Sequence, residues 1–326
     1  MGAGTCRSKQ MSVKARSLID GMATYIPGLR GLMGRRTGGT VSARYCYSVW
    51  LRHLSILQRS GLPTTFKTMV ELGPGDSLGI GLAALLSGVE RYIALDVIQY
   101  ASDAQNLRIF EELIALFKDR APIPDEAEFP LVRPLLPSYA FPSDLLTSAR
   151  LDVALHPARL ELVRRGITNP APRPCGGGPV CYIAPWRPGV IESGAVDLVL
   201  SQTVLEYPSD LEGMYSEMCR WLEPGGIMSH EIDFKPIGMT VEWNGQWSCS
   251  DTLWRLAAGR RRHRLNREPH STHVALMQRM NCRVVCDECT VQPSAITRAQ
   301  LAPRFRHLTD EDLTTSSALI QAVKLA

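Results

Sequence analysis

The sequence predicts an α/β domain with a seven-stranded, mostly parallel sheet, helices on both faces and a helical insertion after the second strand. Three observations predict it. Met69 to Tyr100 reads MVELGPGDSLGIGLAALLSGVERYIALDVIQY, which is a strand, a glycine-rich turn, a helix and a second strand ending in an acid. Strand-like and helix-like stretches then keep alternating, the mark of a parallel sheet covered on both sides. Two further segments, GAVDLVLSQTVLEY from Gly194 and LEPGGIMSHEIDF from Leu222, continue the pattern.

Taken in order, residues 1–40 form a basic leader and residues 41–326 the domain. Over residues 1–44, Arg7, Lys9, Lys14, Arg16, Arg30, Arg35, Arg36 and Arg44 stand against the single acid Asp20, with Ile26, Leu29, Leu32 and Met33 between them. This composition predicts a short helix packed on the domain, with peripheral contact to an anionic membrane surface as the alternative. Ser42 to Ser60 reads as a helix with Trp50, Leu51, Leu54 and Leu57 on its apolar face. Val70, Glu71 and Leu72 close the first strand. Gly73, Gly75 and Gly79 form the turn, Leu82, Leu85 and Leu86 point the next helix inward, and Tyr92 to Leu95 form the second strand.

Residues 101–178 exceed what a simple crossover needs. Leu107, Phe110, Leu113, Ile114 and Phe117 recur at helical spacing, and a proline-rich connection follows through Pro122, Pro124, Pro130, Pro134 and Pro137. A second helical stretch holds Leu155, Leu160, Leu162 and Val163 before a turn at Pro174 to Pro179. An insertion beside the strand tips predicts a lid or an acceptor-binding wall, against the plainer reading of a structural cap. Further strands are expected at Val180 to Ala184, Asp197 to Leu200, Ile227 to Ile232, Arg283 to Asp287 and Ala318 to Lys324.

The first turn carries the chemistry. Gly73 and Gly75 let a ligand approach the main chain, and amides opening a helix favour a carboxylate or phosphate. Asp96, at the tip of the neighbouring strand, is placed to accept both hydroxyls of a ribose. Together they predict a nucleoside-cofactor site. The dinucleotide fingerprint sets its third glycine three positions after the second, and Gly79 comes one position late.

With Glu71 before it and Asp96 after it, E-L-G-P-G-D-S-L-G resembles the first motif of class I S-adenosylmethionine-dependent methyltransferases. The resemblance implies a Rossmann-like methyltransferase sheet whose last two strands pair antiparallel at one edge. It assigns Gly73, Pro74, Gly75, Gly79 and the amides near Ser77 to the methionine end of S-adenosyl-L-methionine, with Glu71 and Asp76 available to its ammonium. Asp96 holds the ribose, Val97 packs on adenine, Pro185 and Trp186 enclose the base, and Ser201 and Gln202 face the donor. Many relatives carry histidine where this chain has Tyr207. YCYSVWLRHL (Tyr45 to Leu54), EWNGQW (Glu242 to Trp247), NREPHSTH (Asn266 to His273) and LAPRFRHLTDEDL (Leu301 to Leu313) resemble a bacterial group encoded among cell-surface polysaccharide genes. That implies a small or glycan-linked acceptor.

Transfer to a sugar hydroxyl is helped by a base. Asp233 and His230, at the end of the fifth strand, and His270 are the candidates, and they favour oxygen over nitrogen as the acceptor atom. Alternation puts Glu231 and Asp233 on one face and His230 on the other. Trp243 and Trp247 around Asn244 suit a carbohydrate ring. Glu206, Asn266, Arg267, Glu268 and His273 complete the expected acceptor surface. His270, His273, Cys282, Cys286 and Cys289 do not match a closed C-x2-C pair set, and Cys282 and Cys286 fall in or beside a predicted strand, so no metal is expected.

Composition narrows the rest. A net charge of +4 over 326 residues does not argue for nucleic acid. Nine cysteines without a paired pattern suggest reduced thiols, and no apolar run approaches the roughly 18 residues of a membrane span. The expected location is cytoplasmic, at most peripheral at the inner membrane face. The rivals are a nicotinamide-dependent oxidoreductase, a donor-binding subunit without turnover, and an RNA methyltransferase resting on the leader and the basic run Gly259 to Arg264.

Overall fold

A computed structural model describes residues 13–25, 39–171, 177–261 and 264–326. In chain order the elements are α1 (Ala15–Ala23), α2 (Ala43–Arg59), β1 (Thr68–Leu72), α3 (Gly79–Leu86), β2 (Arg91–Leu95) and α4 (Asp103–Lys118). Then come α5 (Ser148–Ala154), α6 (Pro157–Thr168), β3 (Val180–Ile183), β4 (Val196–Gln202), α7 (Leu211–Trp221) and β5 (Leu222–Asp233). The last are α8 (Asp251–Ala258), α9 (His270–Arg279), β6 (Cys282–Val291), α10 (Asp310–Thr314) and β7 (Thr315–Lys324). No helix of the described residues is long and apolar enough to cross a membrane.

The seven strands form one sheet in the order β3-β2-β1-β4-β5-β7-β6. The first five run parallel, and β7 enters antiparallel between β5 and β6. Dinucleotide-binding sheets have the order 3-2-1-4-5-6. The inserted antiparallel strand separates this fold from that one and weakens the oxidoreductase reading.

Each face of the sheet has its own core. On one side Trp50, Leu54, Leu82, Phe110, Leu113 and Phe117 belong to one buried cluster. On the other, Val70, Tyr215, Trp221, Met228, Leu276 and Met277 belong to a second. Burying a large apolar side chain contributes about 1.5–3 kcal/mol, so these periodic faces fix which side of each helix meets the sheet.

The insertion packs as a buttress on the helical layer over one face of the sheet. Its first helix, α4, buries Ile109, Phe110, Leu113, Ile114 and Phe117 against the α2–α3 layer. The second helical stretch is two helices, broken at His156 because Pro157 can open a helix but not continue one. Since the insertion covers the outer side of α2, the polar residues Ser48 and Arg52 of that helix are buried. Arg52, fully enclosed, donates to the carbonyls of Pro134 (2.5 Å) and Pro124 (3.0 Å) and lies over the Tyr139 ring. One guanidinium thus ties the proline-rich connection to α2.

The described part of the leader docks as α1 on α8. Gly21 meets that helix so closely that a Cβ would stand 2.2 Å from the Leu256 carbonyl oxygen. Most of the leader's expected membrane-contact residues, including Ile26, Leu29, Arg30, Leu32, Met33, Arg35 and Arg36, lie outside the described residues, as do 262–263 of the basic run and 172–176 of the glycine-proline turn.

Candidate active site

The strand tips of β1, β2 and β4 open into a cavity of ≈ 490 Å³. Gly73, Pro74 and Gly75 line it from the loop after β1, Asp96 and Val97 from the tip of β2, and Trp186 from beyond β3. Gln202, Thr203, Val204 and Tyr207 line it from β4 and the loop that follows. Its size is that of a pocket for one small cofactor or substrate.

Two loops pinch together at Gly73, which has φ +62° and would place a Cβ 2.7 Å from Val204 Cγ2. A side chain there would fill the space a ligand needs. The Asp96 carboxylate, 5% exposed, accepts from the Val97 amide at 2.6 Å and from the Gly75 amide at 3.3 Å. These bonds hold it at the cavity wall. Thr203 has φ +51° despite its branched side chain, a strained backbone of the kind that collects at functional sites. Apolar Trp186, Val97, Leu95 and Met214 complete a surface suited to a nucleoside.

The start of α3 is closed by protein groups. The Ser77 amide donates to Thr40 Oγ1 (3.0 Å), the Leu78 amide to Asn106 Oδ1 (2.9 Å) and the Gly79 amide to Ser77 Oγ (3.1 Å). The expected grip of these amides on an amino-acid carboxylate is therefore corrected. Gly79 is needed for packing, since a Cβ would lie 2.4 Å from Cys46 Sγ on α2. Glu71 points beneath the helix instead of at the donor. It accepts from Tyr92 Oη at 2.5 Å, and burial raises its carboxyl pKa to about 8. Asp76, Pro185 and Ser201 are not among the lining residues. Ser201 Oγ is 2.8 Å from His230 Nδ1 in the sheet interior.

The candidate bases do not reach the cavity. His230 is fully buried against Tyr215 of α7, and burial lowers its pKa to about 3. Asp233 pairs with Lys235 at 2.8 Å. His270 lies on the far side of β5, 2.8 Å from Asp287 on β6. Burial alone would lower its pKa, but the hydrogen bonds to Asp287 and Cys289 raise it to about 10. Among the described lining residues the only ionisable side chains are Asp96, Tyr45, Tyr100 and Tyr207, and none is basic. Burial raises the pKa of both Tyr45 and Tyr207.

The expected acceptor surface is likewise internal. Trp247 is buried and donates to the Arg267 carbonyl at 2.9 Å. Trp243 donates to the Pro293 carbonyl at 2.9 Å, and Asn244 is buried with its amide on Ser294 and Leu313. Arg267 stacks between Trp254 and Phe305 and pairs with Asp251, while Glu268 pairs with Arg304. His273 is fully buried, 2.9 Å from Tyr215 Oη. Glu206 is buried with Oε2 lacking a hydrogen-bond partner, and burial raises its pKa well above the carboxylate range. Asn266 alone touches the site indirectly, clamping the Leu205 and Pro208 carbonyls on either side of Tyr207.

Residues missed from the sequence include Gly39, Thr40 and Tyr45, which approach from before β1, and Thr203, Val204 and Tyr207. Tyr45 sits in one of the segments that carried the resemblance, the single signal that would have found it. From the insertion the Arg133 carbonyl reaches toward the site, accepting from the Gln202 amide at 3.4 Å, and the Phe129 ring stands edge-on to Tyr45 at 5.6 Å.

The family model described as "Methyltransferase domain" matches residues 187–229, from the end of the Trp186 turn into β5. No curated protein matches the chain. Among solved structures, an S-adenosylmethionine-dependent methyltransferase from Mesorhizobium loti shares 15% identity at a TM-score of 0.40, over 83% of this chain and 98% of that one. A SAM-dependent methyltransferase from Methanosarcina mazei shares 11% at 0.44, over 83% and 97%. Phosphoethanolamine N-methyltransferase 2 of Haemonchus contortus, in complex with S-adenosyl-L-methionine, shares 13% at 0.42, over 92% and 61%. Likenesses of that size carry no argument about activity, and the fold stands on the sheet order itself. The matched stretch runs from the exit of β3 into β5 and includes Gln202, Thr203, Val204 and Tyr207 of the cavity lining.

Proposed function

We propose that the chain is a class I S-adenosylmethionine-dependent methyltransferase acting on a small or glycan-linked acceptor. The observation that carries the reading is the meeting of the Asp96 carboxylate and the Gly73–Gly75 loop on one cavity, with Gly73 too close to Val204 for any side chain. The methyltransferase-domain match at residues 187–229 supports it from sequence. Asp96 would hold the ribose diol, and Trp186 and Val97 would flank the base. Gly73 would let the main chain approach the amino-acid end.

Bound donor supplies a methyl carbon already activated by its sulfonium. The protein's work is then to align the acceptor in line with that carbon and exclude water. Tyr45, Tyr207 and Met214 form the wall on which an acceptor would rest. The preference for oxygen depended on Asp233, His230 and His270, and all three face elsewhere. A neutral amine, unlike a hydroxyl, attacks without losing a proton as the bond forms and releases one to water from the resulting ammonium afterwards, so nitrogen is the favoured acceptor atom. The resemblance to polysaccharide-associated enzymes points to an amino sugar or a small amine.

The test is calorimetry of donor binding to the purified chain, followed by mass spectrometry of surface glycans from cells with and without the gene. A methyl group lost on deletion, placed on nitrogen by fragmentation, is the expected result. Donor binding that is absent, or equal in an Asp96→Ala variant, overturns the proposal.

A further inference from the structure

Away from the cavity, the edge strand β6 and the first turn of α9 bring three metal-binding groups together. His270 Nε2 lies 2.8 Å from Asp287 Oδ1 and 3.6 Å from Cys289 Sγ. Cys289 Sγ lies 3.6 Å from Asp287 Oδ1, so the three atoms close a triangle. We propose that His270, Asp287 and Cys289 bind one zinc ion, with the fourth position left to water.

The distances suit that ion. Tetrahedral bonds of about 2.0–2.3 Å to nitrogen, oxygen and sulfur put neighbouring ligand atoms roughly 3.3–3.7 Å apart. Both separations involving the sulfur already have this value. Only the His270–Asp287 pair must open, by about half an ångström, as its hydrogen bond gives way to two metal bonds. A thiolate, an imidazole and a carboxylate together favour zinc over magnesium or calcium, which take oxygen ligands.

A backbone irregularity creates the site. Cys282 and Val284 face α9 and pack in its core cluster. The pairing with β7 then slips between Val284 and Cys286, leaving Val285 as an extra residue. Such a bulge re-aims the side chains that follow it. Beyond it Asp287 and Cys289 face α9, while Cys286 and Glu288 turn to the opposite face, where Glu288 pairs with Arg59 of α2. Without the bulge His270 would meet Cys286 and Glu288. The Phe234 ring stands edge-on to the imidazole at 6.2 Å and helps fix its plane. Of the other His and Cys residues nearby in sequence, His273 is bonded to Tyr215 in the core and Cys282 lies by Cys219.

The full chain, stripped with a chelator, is titrated with zinc by calorimetry and its metal content measured after dialysis. One zinc per chain is expected, bound at least tenfold more weakly by Cys289→Ser and by Asp287→Asn, and unchanged in Cys286→Ser. Circular dichroism checks that each variant is folded. The unaltered chain loaded with cobalt should show a thiolate-to-metal absorption band that Cys289→Ser abolishes. Less than one zinc at saturation, no thiolate band in the cobalt form, or undiminished affinity in folded Cys289→Ser overturns the proposal. None of these readouts depends on methyl transfer.

Discussion

Gly73 and Val204 approach so closely that a methyl group added to Gly73 would stand 2.7 Å from Val204 Cγ2. The loop after β1 and the loop after β4 are therefore in contact at the wall of the cavity. Gly73→Ala must push Val204 aside and also strain the backbone at φ +62°. Expected are at least tenfold weaker binding of S-adenosylmethionine by calorimetry and a loss of about 1–3 kcal/mol of stability in urea. Gly225 also has positive φ, +85°, but open space around it. Gly225→Ala should cost only the backbone term of roughly 1–2 kcal/mol and leave binding intact.

Removing the Asp96 carboxylate deletes hydrogen bonds to a charged group. Such bonds contribute about 1.5–3 kcal/mol, so Asp96→Ala should weaken donor binding roughly ten- to a hundredfold. Asp96→Asn keeps the shape but offers one acceptor oxygen and a donor group in place of the anion, and should fall between. An affinity for either variant within twofold of the parent would rule out the ribose role.

Arg52 offers a test of the buttress. Arg52→Ala leaves the Pro124 and Pro134 carbonyls without their guanidinium and opens space beneath the Tyr139 ring. A loss of about 2–5 kcal/mol in urea unfolding is expected, at about 1–3 kcal/mol for each buried carbonyl left unsatisfied. Arg52→Met should recover some of it through packing alone. A loss under about 1 kcal/mol would mean that the insertion is held by its apolar helices and not by this contact.

Stability should peak at mildly acidic pH. Burial lowers His53, His230 and His273 from 6.5 to about 4, 3 and 3, so the unfolded chain takes up protons that the fold refuses. Their contribution is complete above pH 6.5 and is lost as pH falls toward those folded values. Glu71 and Glu231 are raised by burial from 4.5 to about 8, so the fold keeps protons that the unfolded chain releases. Their contribution is complete below pH 4.5 and is lost as pH rises through 8. Glu206, also raised by burial, and His270, raised by its hydrogen bonds, add to the alkaline loss, so the maximum lies near pH 5.5, with limbs of up to about 1.4 kcal/mol per pH unit for each titrating group. Urea midpoints between pH 4 and pH 9 check the shape, and Glu71→Gln with Glu231→Gln should flatten the alkaline limb.

The strands, the glycine turn and Asp96 were legible because their signals are local. A turn needs glycine at a given offset, and strand tips in a parallel sheet point to one edge. The acceptor surface was not, because a dense run of polar residues such as Asn266 to His273 looks the same whether it faces a cavity or braces a core. Here Arg267 and His273 are enclosed by aromatic rings that come from distant parts of the chain. Glu71 misled for a related reason. The strand directs it under α3, where Tyr92 waits, and nothing in the motif reports the side of the sheet. Thr40 and Tyr45 belong to segments that reach the pocket only through tertiary packing.

The position of β7 bears on how the molecule is made. Ten residues from Thr315 onward are wedged between β5 and β6, and β6 has no other neighbour in the sheet. Emerging from the ribosome, β6 must wait with bare edges until its later-synthesised partner arrives, so the fold locks only after translation has passed Lys324. A nascent chain stalled before that point should be held by chaperones, and a release just short of it should yield aggregate.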